Sequence, residues 1–324
     1  MRCSNKVLLA SLALVTLSLT GCGDRKLPLE YGKYNLPDNY NIESMDVQSE
    51  VPLFASDICA VNENITDTSS IDPSSLYGAG VFDVNTKKTL YAYNVNERVN
   101  PASLTKIMTA LVVIENCNLD DVVTVPDVSI GEEGVQTFGL KEGDKITVKN
   151  LLYISLVYSG NDASLCLAKY VAGSEAAFAE MMNAKAASLG ASNSHFINPH
   201  GLTSSEHYTT AYDLYLIFNA ACKHQEFLDI ISTDKYTVSY TTAEGEAKDK
   251  EISTTNKFLT GGYTMPGSVQ VQGGKTGSTA AAGKCIILYD VDGSGNPYIS
   301  VVMGASSEEN LYNTMIKLCN DTIR

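Results

Sequence analysis

Asn100-Pro101-Ala102-Ser103-Leu104-Thr105-Lys106-Ile107-Met108-Thr109-Ala110 is the stretch on which the fold turns. A polar entry passes within a few residues into an apolar run over 107–114, with no Gly or Pro to stop it. Pro101 stands where a first helical turn tolerates a missing N–H. The pattern predicts a helix beginning near Ala102, on which Ser103 and Lys106 are three residues apart and project from one face. A serine hydroxyl is a poor nucleophile unless a base lies within hydrogen-bond reach, and a lysine serves as that base only where its surroundings favour the neutral amine. The N–H groups at a helix start add a place for a developing oxyanion. Ser-x-x-Lys alone is equally an incidental serine beside a solvated lysine, so the rest of the chain has to decide.

Ser159-Gly160-Asn161 breaks two apolar helical pieces, 151–158 and 163–171. A hydroxyl and an amide at such a break can point into a cleft as proton relay and substrate hydrogen bonder. Lys275-Thr276-Gly277-Ser278 sits in a strand-like segment. There an ammonium can attract an anion, a hydroxyl can bond a carboxylate, and a glycine lets a substrate backbone come close. A phosphate loop would need an upstream glycine at position 269, which is Val, and a following helix rather than a strand.

The three motifs, in this order, are the signature shared by serine β-lactamases and penicillin-binding proteins. The chain from about Leu76 onward resembles the low-molecular-mass D-alanyl-D-alanine carboxypeptidases, serine peptidases of the penicillin-binding group. Carrying the resemblance are residues 100–110, Ser-Gly-Asn-Asp-Ala at 159–163, Asn-Pro-His-Gly-Leu at 198–202, 207–214, and Lys-Thr-Gly-Ser-Thr with Ala282-Gly283-Lys284-Cys285. It implies Ser103 as the acylated nucleophile, Lys106 as its base and Ser159 as relay to the leaving amine. It also implies that Asn161 holds the substrate amide and positions Lys106, that Lys275 and Thr276 bind the terminal carboxylate, that Gly277 admits the substrate backbone, and that the N–H groups of Ser103 and Ser278 form the oxyanion hole. His200, His207 and Asp213 could suggest a Ser-His-Asp reading, but Lys106 already supplies the base, and the two histidines are expected to hold the loop and helix around the cleft. The substrate implied is a peptidoglycan stem peptide, with β-lactams as covalent inhibitors, and no metal or cofactor. A class A β-lactamase would want a Glu followed by Asn four residues on; Glu175, Glu180, Glu206 and Glu226 lack it. A wall-binding protein without turnover would need no activated serine.

The formal net charge of -14 argues against a nucleic-acid partner. Arg2 and Lys6 precede an apolar run over 7–19 that ends Leu19-Thr20-Gly21-Cys22. That is too short for a standard membrane span and resembles a bacterial lipoprotein signal. The expected organisation is a signal over 1–21, a lipidated Cys22 and flexible tether over 22–72, and a catalytic domain over 73–324, held to the outer face of a membrane by lipid. Many members of the family carry a further β-rich domain and a C-terminal amphipathic helix. The chain past Cys285 is expected only to finish the catalytic fold. Excluding Cys3 and Cys22, six cysteines remain, mostly in apolar segments and without a C-x-x-C, which favours buried free thiols over disulfides.

Strand-like patterns at both ends of the domain, with helical ones between, predict an α+β fold similar to the β-lactamases and transpeptidases. One antiparallel sheet would be built from both ends, flanked by helices, with a helical lobe inserted.

Overall fold

The computed structural model describes residues 56–67, 70–132, 134–265 and 267–323. The signal segment, Cys22 and most of the tether lie outside the described residues.

The chain enters a hairpin of β1 (Gly78–Asp83) and β2 (Lys88–Tyr93). Its turn is closed by the Asp83 carboxylate, which accepts the N–H groups of Asn85 at 2.9 Å and Thr86 at 2.8 Å. A 3-10 turn, Ala102–Leu104, then leads into α1 (Thr105–Asn116), whose residues from Thr105 to Val113 are all buried. Two short strands follow, β3 (Val122–Thr124) and β4 (Lys145–Thr147). Next come α2 (Val148–Tyr153), a π-helical stretch Ile154–Tyr158, α3 (Asn161–Ala172) and α4 (Glu175–Ser188). Two further helices, α5 (Ala211–Ala221) and α6 (Gln225–Ile231), precede β5 (Lys235–Thr241) and β6 (Ala247–Ser253). The chain ends with β7 (Gln270–Thr279), β8 (Gly283–Val291), β9 (Pro297–Ala305) and α7 (Glu308–Thr322).

The main sheet is antiparallel with order β2-β1-β9-β8-β7, so strands from both ends of the domain pair directly, as the sequence pattern predicts. Both of its faces are covered, and alternate residues of β8 divide accordingly. Ile286 and Leu288 meet α7 through Leu311, Tyr312, Met315, Leu318 and Cys319, a stripe spaced as one helix face. Cys285 and Ile287 face the core shared with α1 and α5. β7 is the outer strand on one side, and its edge opens toward the helical lobe.

Three differences from the sequence reading have physical causes. A second sheet, β3-β4-β5-β6, was not legible, because β6 reads Ala-Lys-Asp-Lys-Glu-Ile-Ser and buries only Ile252. The regular helix starts at Thr105 rather than near Ala102, because Ala102 is held at φ 48 and Ser103 lies in the tighter preceding turn. Ordered packing also begins before residue 72. Cys59 is fully buried, its N–H donates to the Tyr215 hydroxyl at 2.9 Å, and Ile65 bridges to Ala92. Those contacts are made by isolated apolar residues in a polar segment, which has no periodicity to announce them. The six cysteines among the described residues are free, four of them buried, as expected.

Candidate active site

Ser103 is half-buried at the mouth of a cleft of about 250 Å³, which is also lined by Gln136, Ser159, Thr255, Thr276, Gly277 and Ser278. Among the described residues, two of the four non-glycine residues with positive φ flank this chemistry, Ala102 at 48° and Ser159 at 68°. Each such residue costs about 1–3 kcal/mol and persists only where its surroundings enforce it. Around Ala102 the enforcement is visible. Its N–H donates to the Asn100 side chain, its carbonyl accepts the Thr105 hydroxyl at 2.8 Å, and Gly201 presses against that carbonyl. A Cβ on Gly201, itself at φ +88, would lie 1.8 Å from the Ala102 oxygen, so the loop carrying it requires glycine. Ser159 ends the π-helical stretch, and its left-handed backbone turns the chain into α3.

Lys106 is fully buried. Its Nζ lies 3.0 Å from Ser103 Oγ, 2.7 Å from Asn161 Oδ1 and 2.7 Å from the His200 carbonyl oxygen. As an ammonium, Nζ donates to all three. As a neutral amine it has two N–H bonds for the two carbonyl oxygens and one lone pair left for the Ser103 hydroxyl proton. Burial, reinforced by the nearby charge of Lys275, holds its pKa well below the usual lysine range, and Asp162 pulls the other way. The neutral form is therefore favoured, and it is the one that can act as a base.

Lys275, 1% exposed, projects from β7 onto Ser159. Its Nζ donates to Ser159 Oγ and to the Thr276 carbonyl, each at 2.9 Å. Burial lowers its pKa to about 7. The Thr276 hydroxyl is 2.6 Å from that of Thr255, which leaves the pair facing the cleft as one polar edge. Ser278 is exposed on the strand edge, and Lys284 on β8 donates to its hydroxyl at 2.9 Å. A Cβ on Gly277 would sit 3.1 Å from Ser103 N and from the Pro101 carbonyl, so strand and nucleophile turn are in contact.

All eight residues predicted at the cleft thus converge on one site. Cys22 lies outside the described residues. His207 does the supporting work expected of it, and Asp213 joins it. His207 Nδ1 accepts the Ile197 N–H, its Nε2 is 2.8 Å from Thr105 Oγ1, and burial drives its pKa down to about 3, so it stays neutral. The Asp213 carboxylate ties down the Asn193 N–H and the Ser194 hydroxyl. Four features escaped the motifs: the His200 carbonyl on Lys106, the Thr255 hydroxyl, the Lys284 ammonium, and Asp162 with the loop it holds. Asn-Pro-His-Gly-Leu was a signal for the first, but a backbone oxygen has no residue type to read. Asp162 stood within the quoted Ser-Gly-Asn-Asp-Ala without a role.

Comparison with known proteins points the same way. Residues 70–307 match the family described as D-alanyl-D-alanine carboxypeptidase, peptidase S11. The chain is similar to D-alanyl-D-alanine carboxypeptidase DacF of Bacillus subtilis, 37% identical over 236 residues, which cover 71% of this chain and 57% of DacF. It therefore spans little more than half the length of that curated relative. Among solved structures, the Streptomyces K15 DD-transpeptidase superposes with a TM-score of 0.70 at 30% identity, covering 76% of this chain and 96% of that one. Penicillin-binding protein D2 of Listeria monocytogenes, in its cefotaxime-bound form, gives 0.65 at 27% identity, covering 77% and 98%. A family match that takes in the nucleophile turn, the Ser159 break and the Lys275 strand together leads to one conclusion: the chain belongs to the D-alanyl-D-alanine carboxypeptidase family of serine peptidases.

Proposed function

We propose that this protein removes the terminal D-alanine from peptidoglycan stem peptides through an acyl-enzyme on Ser103, and that β-lactams acylate the same oxygen. The observation that carries the reading is Lys106, fully buried and hydrogen-bonded so that its neutral form has one lone pair free, 3.0 Å from the Ser103 hydroxyl.

In this reading Nζ of Lys106 takes the Ser103 proton as Oγ attacks the carbonyl carbon of the penultimate residue. The N–H groups of Ser103 and Ser278 receive the oxyanion, and Asn161 holds the substrate amide. The C–N bond then breaks, and Ser159 passes a proton to the departing amine. Lys275 and Thr276 hold the free carboxylate, which accounts for the cut at a chain end, and Gly277 lets β7 lie directly against the nucleophile turn. Water completes hydrolysis of the ester.

Incubation with a muropeptide ending in D-Ala-D-Ala, followed by mass spectrometry, is expected to show loss of one D-alanine. Ser103→Ala is expected to abolish both that loss and labelling by a fluorescent penicillin; a label that persisted would refute the nucleophile. A second reading, transfer of the acyl group to an amine, is favoured by the likeness to a structure described as a DD-transpeptidase. An amine-exchanged product in the same assay would support it.

The placement we propose is the outer face of a membrane, with lipid on Cys22 after removal of residues 1–21. Metabolic labelling with an alkyne fatty acid is expected to mark the wild type and not Cys22→Ser. Equal labelling of both would exclude this anchor.

A further inference from the structure

Asp162 is only 3% exposed, and the reaction outlined above does not use it. Its Oδ1 accepts the N–H of Phe138 at 2.9 Å and of Ala163 at 3.0 Å. Its Oδ2 accepts those of Gly139 at 2.7 Å and Leu140 at 3.1 Å. Four backbone donors satisfy a carboxylate that burial would otherwise penalise, and three of them belong to one loop. The same loop closes the cleft. The Gln136 carbonyl accepts the Asn161 N–H at 2.9 Å, and Gln136 lines the cleft with Ser103 and Ser159. From the other side Lys250 of β6 donates to the Phe138 carbonyl at 2.6 Å and lies 4.2 Å from the centre of its ring.

We propose that Asp162 is a positioning residue for acylation: by clamping residues 138–140 to the start of α3, it fixes Gln136 as a wall of the cleft and Asn161 against the catalytic lysine. The inference rests on the activity proposed above. Asp162 also acts through charge. The titratable groups that bear on Lys106 are Asp162 of α3, Lys275 of β7 and His200 of the 198–202 loop, with Glu175 of α4 behind His200 at 3.2 Å. Of these, Asp162 is the anion that favours the lysine's protonated form.

The test is the second-order rate of acylation by a fluorescent penicillin from about pH 5 to about pH 9, for wild type and Asp162→Asn. Asparagine keeps the shape, loses the charge and turns an amide N–H₂ toward two of the loop donors. Acylation is expected to slow by about ten- to a hundred-fold, the scale of a misplaced reacting group. The acid limb of its pH profile is expected to move down by about one unit, an ordinary perturbation for a changed neighbour. An unchanged rate, or a limb that does not move, overturns the proposal, since a merely structural role would lower the melting temperature alone. If Asp162→Asn does not fold, Lys250→Met decides. It releases the loop from its far side and keeps the Asp162 charge, so acylation should slow while the limb stays in place; full-rate acylation then overturns the clamp. Failure of the wild type itself to take the label would refute the proposed activity instead, which separates the two ideas.

Discussion

Lys106 can serve Ser103 only as an amine, and Lys275 can serve an anion only as an ammonium, so two buried lysines in one site must titrate in usefully different ranges. Burial and the charge of Lys275 depress Lys106 well below its ordinary value, whereas Lys275 falls to about 7 through burial alone. As pH drops through the depressed value, Lys106 gains a proton and acylation is lost. As pH rises through about 7, free Lys275 loses its proton and the attraction for a terminal carboxylate fades. A bell-shaped profile of kcat/KM is therefore expected, with a basic limb near 7 that weakens in kcat, because a bound carboxylate stabilises the ammonium. A substrate amidated at its C-terminus should lack that basic limb; a limb of equal size on both substrates would exclude Lys275 as its origin. At this scale the sequence was most informative. Ser103, Lys106, Ser159, Asn161, Lys275 and Thr276 could be named because each reacts or binds through its side chain. Asp162 could not, because its partners are backbone N–H groups, whose identity no sequence records.

Between β8 and α7 lies another buried carboxylate, unconnected with catalysis. Asp290 is fully buried, Oδ1 has no hydrogen-bond partner, and the Cys319 thiol lies 3.8 Å from Oδ2. Burial raises its pKa from 3.8 to about 7. Between those values the folded state holds a proton that the unfolded state has released, so stability falls as pH rises through that window. Asp290→Asn is expected to remove this slope. In urea titrations the wild type should lose about 2–4 kcal/mol between about pH 4 and pH 8 from this group, and the variant should lose correspondingly less. Equal losses in both proteins would assign the slope elsewhere. Elements built on periodicity were legible: the first hairpin, α1, α3 to α5, β5, β7 to β9 and α7. Those that bury little or run short were not. β6 presents alternating charges to solvent, and α6 is only seven residues long. The turn at Ser103 was misjudged by a few residues because Ala102 adopts a backbone conformation that alanine itself does not advertise.

Across the molecule, the prediction of one sheet drawn from both ends of the domain held, since β1 pairs with β9 along its whole length. The small sheet was missed as a unit, yet through Lys250 and Phe138 it helps hold the cleft wall. The pairing of β1 with β9 also governs when the site can assemble during synthesis of the chain. A chain that has emerged as far as β8 already contains every side chain named at the cleft, but β1 then has a neighbour on only one side and β8 has no central strand to join. Contacts so distant in sequence form late and slowly, because the intervening loop must close before they repay its entropy. The nucleophile thus remains unassembled until β9 arrives, and a product truncated before it carries the parts of the site without assembling them.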